Sequence, residues 1–288
     1  MEPLIASAVL CSAVLHPLWY AMVKRDADPD GALMAVNGVI AVLALIHGLI
    51  LGVDFLAALS AWPLMLLSAV GQIIYGYSVV AVLKRGDLSA YYPIIRSAPL
   101  ALVAIGFFFL GESYSPTLLF GIGLVIAGAF ALQYKPGARL LHDPVPLVFS
   151  VVALFGSSLY AIADSRMVQS MHPTAMLVWV QAATIPFLGL LFGHHRTDWT
   201  LRTFPLASWN AAKLRYLLIA SMAYVSYYLI LVAYGLGGNV AAVNAVRQTA
   251  IPISVFIGGL WLSEGSMWRR LVASLVLAAG VVVIVVFR

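Results

Sequence analysis

The chain carries the same local pattern twice, and this duplication limits the folds open to it. Glu112 is followed sixteen residues later by Gly128, and Glu264 is followed by Gly280 at the same spacing. A shift of 152 residues relates the two pairs and also matches four further positions, Ala81, Gly86, Asp87 and Ala90 with Ala233, Gly238, Asn239 and Ala242. Such self-similarity is typical of an internally duplicated structure. We therefore expect two related halves.

Composition indicates that the chain lies in a lipid bilayer. Of its 288 residues, 63% are hydrophobic and only 9% are charged, whereas about a quarter of the residues of a soluble domain are charged. Apolar runs of about 18 to 23 residues are long enough to cross a hydrocarbon core of about 30 Å. Ten runs of this kind can be drawn: 3–23, 32–52, 63–83, 88–110, 117–134, 145–165, 173–193, 214–234, 240–262 and 269–287. The sequence therefore predicts an all-α integral membrane protein with ten transmembrane helices.

The boundary between the halves is best placed in residues 135–144, which combine charged residues with proline and glycine. The first repeat is then 1–138 and the second 139–288, each with five spans. An odd number of spans makes the second repeat enter the membrane in the opposite orientation. This is the plan of secondary transporters, whose substrate site lies between the repeats near the bilayer midplane. We predict two inverted five-helix repeats around a central cavity.

The distribution of lysine and arginine predicts the orientation in the membrane. Twelve of these residues fall in the odd-numbered loops, whereas Arg166 and Arg288 alone fall on the other side. Cytoplasmic loops carry the excess of positive charge. We therefore expect the odd-numbered loops in the cytoplasm of a bacterial cell, the chain in its inner (plasma) membrane, and both termini outside.

Polar side chains within the apolar spans are the candidates for substrate binding, because polar groups are costly in a bilayer and tend to mark functional sites. The candidates are His16, Trp19, Gln72, Tyr75, Tyr92, Arg96, Tyr160, Trp179, Tyr224, Tyr227, Asn244, Arg247 and Gln248. The alternative is that the tyrosines pack helix interfaces with their hydroxyls hydrogen-bonded. Aromatic walls with a few amides suit a neutral or zwitterionic organic ligand.

Two of these patterns are repeated in both halves. Gln72 with Tyr75, and Tyr224 with Tyr227, are spaced by three residues, so each pair lies on one helix face. We expect the two faces to confront each other across the pseudo-two-fold axis. Arg96 and Arg247 each lie about two turns inside a span, roughly 10 Å along the axis. Each either locks helix packing or receives a substrate carboxylate, for which a guanidinium is well shaped.

The titratable residues in and at the ends of the spans suggest two kinds of role. Glu112 and Glu264 end their spans and are predicted to cap the helix that follows, because a carboxylate there complements the helix dipole; proton coupling is the alternative role for them. His16 and Asp164 are the other titratable groups at depth, and they are the candidates for a proton relay. Cys11 is the single cysteine, which excludes an intramolecular disulfide and a cysteine-based zinc site.

At these residues the chain resembles the drug/metabolite transporter superfamily, EamA type. The Leu-Gly-Glu that ends a helix in this family is similar to Leu110-Gly111-Glu112 and, more loosely, to Leu262-Ser263-Glu264. Phe155-Gly156-Ser157-Ser158 is similar to the Trp-Gly-Ser-Asn that opens a family repeat. The resemblance implies ten helices in two repeats and is closest to the YddG-like exporters of aromatic and other amino acids. It also implies cytoplasmic termini, opposite to the charge count.

These features favour a secondary transporter that exports aromatic and other neutral amino acids, or related small metabolites, by alternating access. A multidrug or organic-cation exporter of the same fold is an alternative. An intramembrane enzyme is another, but the spans show no paired aspartates, Ser/His pair or metal set. The expected partners are a small-molecule substrate and the lipid bilayer, with no nucleic acid, metal or cofactor. A monomer is sufficient for this activity.

Overall fold

The computed structural model describes residues 3–97, 101, 115–134, 143–194, 209–210, 212–237, 243, 246–264 and 266–287. Within these ranges lie ten α-helices of eight or more residues. They are α1 (Pro3–Lys24), α2 (Pro29–Ile50), α3 (Trp62–Arg85), α4 (Leu88–Ile95), α5 (Pro116–Gln133), α6 (Pro144–Met167), α7 (Pro173–Gly193), α8 (Lys213–Gly235), α9 (Ala250–Leu260) and α10 (Met267–Phe287). A short 3₁₀ helix, Ala57–Ala61, precedes α3.

Seven of these helices, α1, α2, α3, α6, α7, α8 and α10, are long and apolar enough to cross a membrane. The chain is therefore a helical, multi-pass membrane protein, as its composition predicts. α5 and α9 are apolar but shorter, and α4 has eight residues. The predicted spans 88–110 and 240–262 lie partly outside the described residues, so the count of ten spans stays a prediction.

Local sequence signals set the start of four helices. Each begins with a proline in its first turn, where the missing N–H costs no hydrogen bond. The residue before the proline accepts a hydrogen bond from the exposed first turn, which satisfies one of the free N–H groups. These capping residues are Asp28, Ser115, Asp143 and His172, which start α2, α5, α6 and α7.

The helices of the two halves interlock. α1 packs against α8 and α3 against α6; α2 also packs against α8, and α7 against α3. α1 contacts α9, and α6 contacts α4, while α2 pairs with α7 and α5 with α10. Exchanging each helix of the first half with its counterpart in the second half (α1 with α6, α2 with α7, and so on) converts each of these pairs into another pair of the set or leaves it unchanged. The packing is thus reciprocal between the halves.

The α3–α6 crossing is a direct contact of two backbones. A Cβ atom added at Gly71 would stand 2.6 Å from the Tyr160 amide nitrogen, and one at Gly156 would stand 2.8 Å from that of Tyr75. Only glycine permits such an approach. At the α1–α8 crossing, the Ser12 hydroxyl instead donates to the Ser226 carbonyl (2.7 Å), and the Ser226 hydroxyl donates to the Ser12 carbonyl (3.1 Å). Both crossings bring side chains of opposite halves together at the centre.

α5 and α10 pack against each other through the glycines of the repeated motif. Gly128 lies against Leu277, and Gly280 lies against the Gly121 carbonyl, 2.7 Å from a built Cβ. Their buried side chains form a separate apolar cluster shared with α9. The glycines of these two helices thus serve helix packing.

We expect Gly128→Leu to destabilise the fold by at least ~1–3 kcal/mol, the usual cost of overpacking. A Cβ at this position would stand 2.7 Å from the Leu277 Cβ and 2.8 Å from its amide nitrogen, so the helices would have to separate. Gly123→Leu is the matched control because a Cβ there meets nothing within 4 Å. Thermal unfolding in detergent compares the two. Equal melting temperatures would show that the glycine contact does not matter.

The prediction that Glu264 caps the helix that follows it is wrong. Glu264 instead binds the N-terminus of α4 in the other half: its two carboxylate oxygens accept from the amides of Leu88 (2.8 Å) and Ser89 (2.7 Å). Lys24 at the end of α1 donates to the same carboxylate at 2.5 Å. The chain turns sharply here, with φ of 55° at Ser263, and this turn directs the side chain back across the interface. Glu112, its counterpart, lies outside the described residues.

Further polar contacts join the halves on the same face, which carries the loops after α1 and α3. Arg270 on α10 pairs with Asp87 at 2.5 Å, and Arg215 on α8 lies 3.4 Å from Asp26. Tyr216 also donates to Asp26, at 2.9 Å. Each ion pair found among the described residues lies on this face. We refer to it as the ion-pair face.

The ion-pair face is the one that the charge count places in the cytoplasm. If that count sets the orientation, the C-terminus lies outside the cell. A C-terminal alkaline phosphatase fusion is then expected to be active in bacteria, and a green fluorescent protein fusion to be dark. The reverse pattern would contradict the charge argument and agree with the orientation implied by the family resemblance.

Candidate functional site

A cavity lies at the centre of the helix bundle, between α1, α2, α3, α6, α7 and α8. The volume open to the centre of a water molecule is about 80 Å³. A single buried water needs roughly 10–15 Å³ by this measure, so the cavity has room for several waters or a small molecule. It is lined by Ser12, His16, Trp19, Tyr20, Leu33, Asn37, Ile40, Gln72, Tyr75, Gly76, Tyr160, Gln181, Thr184, Ala223, Ser226, Tyr227, Ile230 and Arg247.

Seven of the thirteen predicted site residues meet at this cavity. They are His16, Trp19, Gln72, Tyr75, Tyr160, Tyr227 and Arg247. These seven residues come from both the N-terminal and the C-terminal half of the chain. The structure thus brings together side chains that are far apart in sequence, and whether they bind substrate stays a prediction.

Two predicted residues lie elsewhere in the bundle. The Trp179 indole donates to the Phe55 carbonyl (2.8 Å), which ties α7 to the loop after α2. The Tyr224 hydroxyl is hydrogen-bonded to His47 Nδ1 (2.7 Å) on α2. Tyr224 therefore does not share the cavity with Tyr227. Residues three apart differ by about 60° around a helix, which here is enough to direct the two tyrosines to different neighbours.

Tyr92, Arg96 and Gln248 are buried but do not line the cavity. Tyr92 forms part of the layer behind it, with its ring centroid 6.2 Å from His16 and 6.0 Å from Tyr20. Arg96 is 9% exposed, and its Nε has no hydrogen-bond partner in the described part of the chain. Asn244 lies outside the described residues.

Aromatic rings form a continuous wall from α1 to α8. Tyr20 on α1 meets Tyr75 on α3 at a centroid distance of 6.3 Å, and Tyr75 meets Tyr160 on α6 at 5.5 Å. Tyr160 in turn meets Tyr227 on α8 at 6.2 Å. All three contacts are edge-on, the favourable arrangement of aromatic pairs. The wall gives the cavity a rigid, largely apolar surface.

Arg247 gives the cavity its charge. It is the one Arg, Lys, Asp or Glu side chain among the described residues that line it. None of the carboxylates in the described ranges forms an ion pair with it. A guanidinium in a low-dielectric cavity attracts an anion strongly and can bind a carboxylate through two parallel hydrogen bonds.

Three buried polar atoms in the cavity wall have no hydrogen-bond partner within the described structure. They are the indole Nε1 of Trp19, the amide oxygen of Gln181 and the hydroxyl of Thr184. Leaving such an atom unpaired costs about 1–3 kcal/mol. One donor, one acceptor and one group capable of both roles are therefore left unsatisfied in the residues around the cavity.

A chain of hydrogen bonds leads from the cavity wall to a buried acid. Gln181 Nε2 donates to Gln72 Oε1 (3.4 Å), and Gln72 Nε2 donates to the Tyr227 hydroxyl (3.1 Å). Tyr227 then donates to Asp164 Oδ2. Ser68 donates to the other carboxylate oxygen of Asp164 at 2.6 Å. Asp164 is 2% exposed, and we call this series the hydrogen-bond chain.

Several lining residues were not among the sequence candidates. Asn37 and Gln181 each stand eight residues after the proline that begins α2 and α7, so their matching positions carry a signal that could have identified them. Ser12 and Ser226 form the α1–α8 contact, which no local pattern predicts. Within the described residues, no group of three or more His, Cys, Asp or Glu side chains is placed to hold a metal ion.

Comparison with known proteins shows the fold and goes no further. No protein-family profile and no curated protein matches the chain. Among solved structures, a crystal structure described only as that of a protein matches with a TM-score of 0.62. The alignment covers 98% of this chain and 95% of that one at 18% sequence identity. At this identity the likeness establishes a shared fold over nearly the whole length.

Proposed function

We propose that this protein is a secondary transporter of the drug/metabolite transporter type that exports neutral amino acids, or similar zwitterionic metabolites, from a bacterial cell. The single observation that carries the proposal is the composition of the central cavity. One guanidinium, several unpaired polar atoms and a wall of aromatic rings meet between membrane helices of both halves.

The cavity matches the three parts of an amino acid. Arg247 receives the carboxylate through paired hydrogen bonds. The Gln181 amide oxygen and the Thr184 hydroxyl accept hydrogen bonds from the ammonium group, since neither atom has a partner in the described structure. The tyrosine rings then contact an apolar or aromatic side chain.

The packing supports alternating access between two inverted repeats. The reciprocal contacts between helices of the two halves support this arrangement. On the ion-pair face the halves are held together, and Glu264 is at the centre of that contact. Opening the cavity towards this face requires separating Glu264 from Lys24 and from the start of α4. In this proposal the structure corresponds to a state closed on the ion-pair face.

An exporter of organic cations is the alternative within this fold. Aromatic rings alone are compatible with it because cations bind to ring faces. Arg247 opposes it, since a second positive charge in the same small cavity would be repelled. The described lining residues include no carboxylate to offset that repulsion.

Exchange in proteoliposomes tests the proposal. Vesicles loaded with unlabelled L-phenylalanine are diluted into medium containing the radiolabelled amino acid, and protein-dependent uptake is expected. Phenylalaninamide, which lacks the carboxylate, is expected to compete poorly, whereas an organic cation such as tetraphenylphosphonium is expected not to compete. Strong competition by the cation together with no phenylalanine exchange would favour the alternative.

A further inference from the structure

We propose that Asp164 binds the proton that is exchanged for the substrate, and that its protonation reverses the hydrogen-bond chain and so changes what Gln181 offers to the cavity. This inference rests on the proposed function. It assigns a second, proton-binding site to the protein, separate from the cavity itself.

The hydrogen-bond chain has one direction in this structure. Every donor points towards Asp164: Gln181 donates to Gln72, and Gln72 donates to Tyr227. Tyr227 donates to the carboxylate, as does Ser68 from the opposite side. An ionised carboxylate accepts hydrogen bonds and donates none. This arrangement is the one expected for an ionised Asp164, and it leaves the Gln181 oxygen, in the wall of the cavity, without a partner in the described residues.

Protonation of Asp164 gives the carboxyl group a hydrogen to donate. The nearest acceptor for it is the Tyr227 hydroxyl, whose own hydrogen then turns towards Gln72. Since the two ends of a glutamine amide occupy nearly the same space, Gln72 accepts this bond after its amide rotates by half a turn. Its NH₂ then donates to the Gln181 oxygen, and the Gln181 NH₂ faces the cavity. One hydroxyl and two amides rotate, and the backbone stays in place.

This reversal changes the affinity of the cavity for an ammonium group. With Asp164 ionised, the Gln181 oxygen accepts a hydrogen bond from the ammonium. With Asp164 protonated, an NH₂ occupies that position, and two donors then face each other. A site that leaves polar groups unpaired discriminates strongly against its ligand. Proton binding therefore expels the substrate, and substrate binding expels the proton.

The position of Asp164 fits this exchange. It lies near the end of α6, and Ser68 lies near the start of α3, so the acid is on the side of the cavity opposite the ion-pair face. By the charge count this side faces the outside of the cell. A proton from outside is transferred from water to the carboxylate as the substrate leaves. The proton returns to water on the other side after the conformational change, and no other bond is made or broken.

The groups around Asp164 do not provide a permanent counter-ion in the described residues. α3 contributes Ser68, α8 contributes Tyr227, and Tyr160 lies one turn away on the same helix. Arg247 is within electrostatic range but lines the cavity, where a substrate carboxylate would compete for it. The other titratable side chains on helices packed against α6 are Tyr75, Tyr77, Lys84 and Arg85 on α3, Tyr91 and Tyr92 on α4 with Arg96 directly after it, and Lys213, Arg215, Tyr216, Tyr224, Tyr228 and Tyr234 on α8.

A pH gradient across proteoliposomes tests the proposal, with radiolabelled L-phenylalanine as the probe. For one-to-one exchange, a gradient of about one pH unit is expected to sustain an approximately tenfold accumulation. In Asp164→Asn the accumulation ratio is expected to fall to about one, with exchange still measurable at saturating phenylalanine. Asp54→Asn, a neutralised acid in the exposed loop after α2, is the matched control and is expected to behave like the native protein.

A second pair of variants tests the hydrogen-bond chain itself. Tyr227→Phe removes the link between Asp164 and Gln72, so pH-driven accumulation is expected to fall more than exchange does. Tyr228→Phe removes the hydroxyl of the neighbouring tyrosine, which stacks on Tyr224 outside the cavity, and is expected to retain coupling. This pair keeps the test decisive if Asp164→Asn fails to fold.

Three outcomes overturn the proton site. The first is pH-driven accumulation in Asp164→Asn equal to that in Asp54→Asn. The second is equal coupling in the two tyrosine variants. The third is pH-dependent phenylalanine binding that persists in Asp164→Asn, which would assign the proton to His16 in the cavity wall. If the native protein shows no phenylalanine exchange at any pH, the proposed function itself is wrong, and this result is distinct from a loss of coupling alone.

Discussion

Replacing Arg247 with glutamine is expected to weaken phenylalanine binding by about 1.5–3 kcal/mol, or roughly 10- to 150-fold, the range for a hydrogen bond to a charged group. The guanidinium is the charged group of the described cavity wall, so the substrate carboxylate has no equivalent partner there. Arg247→Lys keeps the charge but loses the two parallel hydrogen bonds, and an intermediate loss is expected. Inhibition of exchange by unlabelled phenylalanine measures the affinity of each variant.

Phenylalaninamide is the control for this prediction. It lacks the carboxylate, so it should bind the native protein weakly and lose little further affinity in Arg247→Gln. The interaction between ligand change and residue change isolates the contact, as in a double-mutant cycle. Equal proportional losses for acid and amide would instead show that Arg247 only holds the segment before α9 in place.

The second large effect is expected at Glu264. Glu264 is 8% exposed, and its carboxylate binds Lys24 and two backbone amides at the start of α4. Glu264→Gln leaves the partly buried ammonium of Lys24 without its anion. Removing one partner of a fully buried ion pair costs ~3–5 kcal/mol, and this range is the upper bound here. We therefore expect a lower melting temperature in detergent, and faster access of solvent to the cavity from the ion-pair face.

Asp54→Asn is the control for charge removal at an exposed site. Its oxygen accepts hydrogen bonds from the amides of Leu56 and Ala57, which an asparagine can also receive. The free energy of unfolding of this variant is expected to lie within about 0.5 kcal/mol of that of the native protein. If Glu264→Gln melts at the same temperature as this control, the carboxylate does not hold the halves together.

The features that sequence analysis predicts well are those with a local physical cause. Span length follows from bilayer thickness, and the seven long helices agree with the predicted runs. The repeated glycines at 128 and 280, which the sequence pattern singles out, lie at the α5–α10 contact because only small side chains allow two helices to approach closely. His16, Gln72 and Tyr75 were identified because polar groups within apolar spans tend to face the interior of the bundle.

The features that sequence analysis missed depend on contacts between distant segments. Glu264 is close to the next helix in sequence, but its partners lie about 175 and 240 residues away. Tyr224 and Tyr227 share a spacing rule, yet His47 on α2 attracts the first and Asp164 on α6 the second. Asn37 escaped notice because a single polar residue in an otherwise apolar helix is recognisable only when its counterpart on α7 is aligned with it.

The glycine contact between α3 and α6 bears on which parts of the protein can move independently. Because the two backbones touch at Gly71 and Gly156, α3 and α6 are expected to move together as one rigid unit. This unit carries Ser68, Gln72 and Asp164. Tyr227 lies on α8 and contacts these two helices through side-chain hydrogen bonds and through the edge-on contact of its ring with Tyr160. A slide of α8 by one or two ångströms, as in the rocking of one bundle past another, would disconnect Tyr227. The proton site and the substrate site would then be uncoupled from each other while the two halves move relative to one another.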